Sequence, residues 1–185
     1  AVVRGLADAG FTRARLELAP SARARTALPP AALASAQASM REALALEPSN
    51  PLFVEASARL DEMQALSLVP GDAEARRLLG QSLGEYRAAA LMRPGSAYAW
   101  VSIALLKVRL GELDAEFYGA LERAARLGPW EPQVQLAIAD IGLAAWRRLA
   151  QPAQTQVIDA LERSLLRPGP EIRRIATTHG ILPLV

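Results

Sequence analysis

Apolar positions recur along this chain at helical spacing, in blocks closed by proline. The clearest block is 113–127. There Phe117, Leu121, Ala124 and Ala125 share one face, and Glu116, Glu122, Arg123 and Arg126 share the other. Over 97–110 the apolar residues Tyr98, Trp100, Val101, Ile103, Ala104, Leu105, Leu106, Val108 and Leu110 cover nearly the whole circumference. A helix apolar all round has to be buried on more than one side. In 131–149, Val134, Ala137, Ile138, Ile141 and Ala145 form one stripe, while Leu136, Leu143 and Trp146 point elsewhere. No stretch sustains the period-two alternation of a half-buried strand. The pattern predicts helices over 3–19, 30–47, 51–69, 72–93, 97–110, 113–127, 131–149, 153–167 and 170–179, with an Ala-rich, loose connection from Pro20 to Pro30.

Several block ends carry a capping mechanism. Ser49-Asn50-Pro51 offers a capping side chain followed by proline in the first turn, where its missing N–H costs nothing. Asp72 caps the next block, with Glu74 favourably placed in its first turn. Ser96 opens 97–110, Gly111 ends it, and Asp114 or Glu112 starts the block after. Gly80 and Gly84 lie inside a helical pattern, where they are expected to mark close helix packing or a kink.

The chain also repeats itself. Arg-Glu-Ala-Leu-Ala-Leu-Glu-Pro (41–48), Arg-Ala-Ala-Ala-Leu-Met-Arg-Pro (87–94) and Glu-Arg-Ala-Ala-Arg-Leu-Gly-Pro (122–129) superimpose, and 162–168 is a weaker copy. The closing prolines Pro48, Pro94, Pro129 and Pro168 are 46, 35 and 39 residues apart. Trp100 stands early in the first helix of a pair and Gly111 at its turn. Ala43, Ala89 and Ala124 each stand five residues before a closing proline, and Arg163 breaks that rule. On these residues, over about 30–168, the chain resembles the tetratricopeptide repeat family. The resemblance implies an all-α, right-handed α-hairpin solenoid of about four helix pairs. Residues 1–29 would form a leading helix and connection, 30–168 the solenoid and 169–185 a C-terminal cap.

A narrower resemblance rests on Glu47-Pro48-Ser49-Asn50-Pro51, Ala97-Tyr98-Ala99-Trp100, Ala104-Leu105-Leu106-Lys107 and Leu127-Gly128-Pro129-Trp130-Glu131-Pro132. These stretches look like the small tetratricopeptide proteins encoded with bacterial exopolysaccharide clusters, the VpsP type. The repeat, with no catalytic set beside it, points to a scaffold or adaptor that holds a peptide or helix of a protein partner in its concave groove, and the narrower resemblance implies a place in polysaccharide biosynthesis or export. It also implies an N-terminal membrane anchor. The start at Ala1 rather than Met fits a removed leading segment, so a periplasmic or membrane-anchored location is expected over a cytoplasmic one.

Composition narrows the chemistry. Hydrophobic residues make up 51% of the chain and aromatics 5%. Cys is absent, which removes disulfides, thiolate metal sites and Cys nucleophiles. No run approaches the ~20 apolar residues of a spanning helix. The net charge of +2 is far below a nucleic-acid footprint, and the doublets Arg76-Arg77, Arg147-Arg148 and Arg173-Arg174 read as solvated helix faces. The single His179 is read as a terminal or capping residue. No phosphate loop or catalytic set is legible, so no enzyme, cofactor or metal is expected.

Six residues are candidates for partner binding. Trp100 and Lys107 share a stripe of a mostly apolar helix. Lys107, the only Lys, is positioned to meet an anionic group, or an internal partner such as Asp61, which holds the same place after Pro48. Trp130 and Glu131 form a rigid turn between two prolines, where an aromatic ring suits packing or a glycan contact. Asp140 interrupts an apolar helix and is expected to pair with an Arg or line a groove. Asp61, Glu62, Asp114, Glu116 and Asp140 are the carboxylates from which an acid–base pair would be drawn, and with one a carbohydrate-active or glycan-binding module.

Overall fold

A computed structural model describes residues 5–15, 29–166 and 169–181. Among these residues the structure is helical, with no strand. Helix α1 covers residues 5–15. It is followed by α2 (Pro30–Leu46), α3 (Pro51–Ser67), α4 (Ala73–Met92), α5 (Ala97–Leu110), α6 (Ala115–Leu127), α7 (Pro132–Ala145), α8 (Gln151–Leu165) and α9 (Pro170–Thr178). The connection expected between Pro20 and Pro30 falls mostly outside the described residues, as do the outer ends of the block 3–19, the closing Pro168 and the last four residues.

The starts form as the capping residues require. Asn50 accepts from the Leu52 amide at 3.1 Å, Asp72 from Glu74 at 2.7 Å, Ser96 from Ala99 at 3.3 Å and Asp114 from Phe117 at 3.1 Å. Each side chain satisfies one amide that the first helical turn leaves unpaired. Gly111 closes α5 at φ 81°, and the Glu112 amide bonds back to the Lys107 carbonyl at 2.8 Å. That left-handed turn is why glycine stands there.

The chain divides into two units, Ala1–Arg93 and Pro94–Val185. In the first, α1 lies on α2, α2 on α3, and α3 on α4. Ala7, Ala14, Leu33, Ala36, Met40, Ala43, Phe53 and Leu60 form its core, and the Phe11 and Phe53 rings stack tilted at 5.1 Å. In the second, α5 pairs with α6 and α7 with α8, α5 and α7 lie side by side, and α9 covers α7. Consecutive pairing of this kind is that of an α-hairpin solenoid.

Burial exposes the repeat more sharply than the sequence does. Counting from Pro48, Pro94 and Pro129, the fifth residue is Phe53, Ala99 or Val134, the tenth Ala58, Ala104 or Ala139, and the twelfth Leu60, Leu106 or Ile141. Every one is buried. The second helices bury matching triplets: Ala36-Met40-Ala43, Ser82-Tyr86-Ala89, Phe117-Leu121-Ala124 and Ala153-Val157-Ala160. Small residues at the crossings bring backbones together, and each large residue removed from water contributes roughly 1.5–3 kcal/mol.

Three expectations are corrected. The fourth copy keeps its small residue at Ala160, not at position 163, so Ala89, Ala124 and Ala160 recur at 35 and 36 residues. Helix α8 simply runs further before its proline than α6 does. The block 131–149 is not one helix: α7 stops at Ala145, and Trp146–Arg148 forms a 3-10 turn. Gly80 and Gly84 mark no close packing. A Cβ at either would meet nothing within 4 Å, and α4 runs on through both. The close approach lies at Gly142, where an added Cβ would fall 2.0 Å from Val157 Cγ2.

Candidate functional site

In the first unit a polar cluster sits where α2, α3 and α4 converge. Asp61 holds the thirteenth position after Pro48, a register that is also buried after Pro94 and Pro129, and is only 8% exposed. Gln37 on α2 donates to Asp61 Oδ1 at 3.2 Å and to Gln64 Oε1 at 2.8 Å. On α4, Glu85 accepts from the Ser57 hydroxyl at 3.3 Å. Asp61 Oδ2 and Glu85 Oε2 are both buried without a hydrogen-bond partner. Burial raises the Asp61 carboxyl, against the pull of the Gln37 bond and the more distant Arg77 and Arg41. Burial, reinforced by the charge of Asp61, pushes Glu85 up to about 7, against the Ser57 bond.

The equivalent register in the second unit is Lys107, 2% exposed. Its ammonium bonds Glu112 and lies 2.6 Å from Asp114 Oδ2 and 3.5 Å from Glu116 Oε2. Its partners come from the α5–α6 turn, where the sequence had offered Asp61. Burial alone would lower Lys107, but the carboxylates reverse this and hold it above the usual lysine range. The Lys107 bond in turn holds Asp114 below the carboxylate range, helped by the Phe117 amide. The third residue of this register is Gly142. Of the carboxylates considered for acid–base work, Asp114 and Glu116 thus converge on a cation, and Asp61 faces Glu85, which the sequence reading did not single out.

Trp100 is held internally. Its Nε1 donates to the Pro94 carbonyl at 2.9 Å, and the Arg123 guanidinium lies 4.6 Å above its ring. Asp140 pairs with two residues from the C-terminal segment, Arg174 at 3.3 Å and His179 Nε2 at 2.8 Å, and so ties α9 to α7. The expected pairing with an Arg is present, and His179 closes α9 as a capping residue. Glu131 precedes α7 and accepts from the Tyr98 hydroxyl at 3.1 Å.

Trp130 differs from these: 76% of it is exposed. It borders an open cleft of about 130 Å³ lined by Pro129, Pro132, Leu136, Gln135, Arg163 and Leu166. Leu166, 74% exposed, stands with it. The cleft floor is fixed by Gln135, which donates to the Gly128 carbonyl at 2.7 Å and accepts from Arg163 at 3.4 Å. The sequence marked Trp130 but not Leu136, Arg163 or Leu166, because their meeting depends on how α7 lies on α8.

Among the described residues no group of three or more His, Asp or Glu side chains is arranged to hold a metal ion, and no helix is long and apolar enough to cross a membrane. Comparison with protein-family models, with curated proteins and with solved structures gives no match.

Proposed function

We propose that this chain is a tetratricopeptide-like binding module that holds a segment of a protein partner and performs no chemistry of its own. The carrying observation is the cleft at Trp130, where two large apolar side chains are presented to solvent beside a preformed hollow. Exposed aromatic anchors over a pocket are where interface energy concentrates. A cavity of about 150 Å³ is enough for a benzene ring, so this hollow suits one apolar side chain of an incoming peptide. The repeat-type reading draws support from Trp100, Ile103, Ala104 and Lys107, then Phe117, Leu121 and Pro129. These follow the spacing Trp-x2-Leu-Gly-x2-Tyr, Ala-x3-Phe, Pro. Trp100 and Pro129 keep the residue types of that pattern, Ile103 and Leu121 replace its Leu and Phe with other apolar side chains, and Ala104, Lys107 and Phe117 depart from it. A role beside a bacterial polysaccharide assembly, reached through an N-terminal anchor, is part of the same proposal and rests on the narrower sequence resemblance.

Selection of a random peptide library on the full chain tests this reading. Peptides that bind wild type and lose binding to Trp130→Ala, with an unchanged melting curve, support it. Equal binding by the variant overturns the cleft as the site. A second reading, a glycan-binding module, draws on the same ring, since an exposed indole is also a sugar-stacking surface. Trp130-dependent binding to a panel of oligosaccharides, with no peptide selected, would replace the first reading by the second.

A further inference from the structure

The polar cluster of the first unit has a construction that packing alone does not explain. Asp61 and Glu85 stand on the packed helices α3 and α4, at places where the other copies carry no carboxylate: Lys107 and Gly142 match Asp61, and Ser39 and Ala120 match Glu85. Each carboxylate has one oxygen bonded, to Gln37 or to Ser57, and one buried oxygen bonded to nothing. A buried acceptor left without a donor costs about 1–3 kcal/mol, and more when it is charged. The charges facing Asp61 are Arg41 from α2 and Arg77 from α4, both on exposed arms, and Glu85 faces Asp61 and Ser57. Among the described residues no donor meets either free oxygen, and two negative charges there repel across the α3–α4 contact.

We propose that Asp61 and Glu85 act as a proton-operated latch between α3 and α4, with one proton held on the pair tightening the first unit and its departure loosening it. With the proton bound, the pair carries a single charge and one carboxyl becomes a donor. Without it, both carboxylates are charged and their free oxygens repel. Burial and the mutual charge place the release near neutrality, about 7 at Glu85. The pair titrates as a unit, so the proton belongs to both. Because the folded value is raised, the added stability is complete below about pH 4.3, the ordinary Glu value, and is lost as pH rises through the folded value. At most one proton is linked, so the opening constant of the unit rises by no more than about tenfold per pH unit in that window.

Hydrogen exchange of the full chain between pH 5 and 9, corrected for intrinsic rates, reads this directly. The expectation is that peptides from α3 and α4 lose protection as pH rises towards 8, while those from α5 and α6 do not. Glu85→Gln, which keeps the shape and removes the charge, should flatten that dependence. Asp61→Asn should move its midpoint down towards the ordinary carboxylate range. An α3–α4 profile that is flat, shared with α5–α6, or unchanged in Glu85→Gln overturns the latch. Carbon-13 NMR titration of the wild-type side-chain carboxyls needs no variant to fold: a glutamate titrating near 7 supports the proposal, and all glutamates in the ordinary range refute it.

Discussion

The Lys107 ammonium lies 2.6 Å from Asp114 Oδ2, joining the buried inner stripe of α5 to the capping residue of α6. Asp114 therefore does two things at once: one oxygen caps a helix and the other neutralises a buried cation. Breaking a buried pair costs about 3–5 kcal/mol. The carboxylates here are about half exposed, which lowers the cost, so we expect Lys107→Met to destabilise the second unit by roughly 1–2 kcal/mol. Denaturant unfolding followed by the fluorescence of Trp100, Trp130 and Trp146, all in the second unit, measures this, and an unchanged midpoint would contradict it.

The same pair sets a pH dependence at the extremes. Asp114 is depressed, so its contribution is complete above about pH 4, its ordinary value, and fades as pH falls through the lower folded one. Lys107 is raised, so its contribution holds below about pH 10.4 and is lost at more alkaline pH. Stability of Lys107→Met should depend less on pH at both ends. A difference between wild type and variant that is constant from pH 2 to 7 would remove Asp114 from the account.

Two glycine substitutions should move in opposite directions. Gly142→Ala drives a methyl group into Val157 and should cost at least about 1–3 kcal/mol, with Val157→Ala recovering part of the loss. Gly80→Ala meets nothing in the exposed middle of α4 and should stabilise by roughly 0.5–1 kcal/mol. Thermal melting of the two single variants and of the double variant decides both.

Asp140→Ala removes the carboxylate that holds Arg174 and His179. The expected result is faster proteolysis and hydrogen exchange within α9, with α5 and α6 unaffected. Equal protection of α9 in variant and wild type would show that Ile172, Ile175 and Ala176 hold it without help.

Much of the architecture was legible from the chain. The blocks between prolines became helices, and Asn50, Asp72, Ser96 and Asp114 capped them, because caps and prolines act within a few residues of themselves. Ala43, Ala89 and Ala124 were readable as crossings for the same reason. What the sequence concealed depends on distance. The tight contact belongs to Gly142, not to Gly80 or Gly84, because tightness is decided by the helix opposite. Glu85 lies three residues after Ser82 and four before Ala89, on the edge of the buried stripe, so a wheel drawn from the buried triplets finds it. That wheel needs to know which face is covered. Leu166 and Leu136 join Trp130 only once α7 lies against α8.

The chain's sole primary-amine side chain is thus sealed inside a hairpin, behind the carboxylates that hold it. Acylating reagents that hunt for lysine find no such group on the outer surface of the folded second unit. Covalent tagging at Lys107 becomes a clock for how often that hairpin breathes, readable by mass spectrometry at a single site without any engineered label.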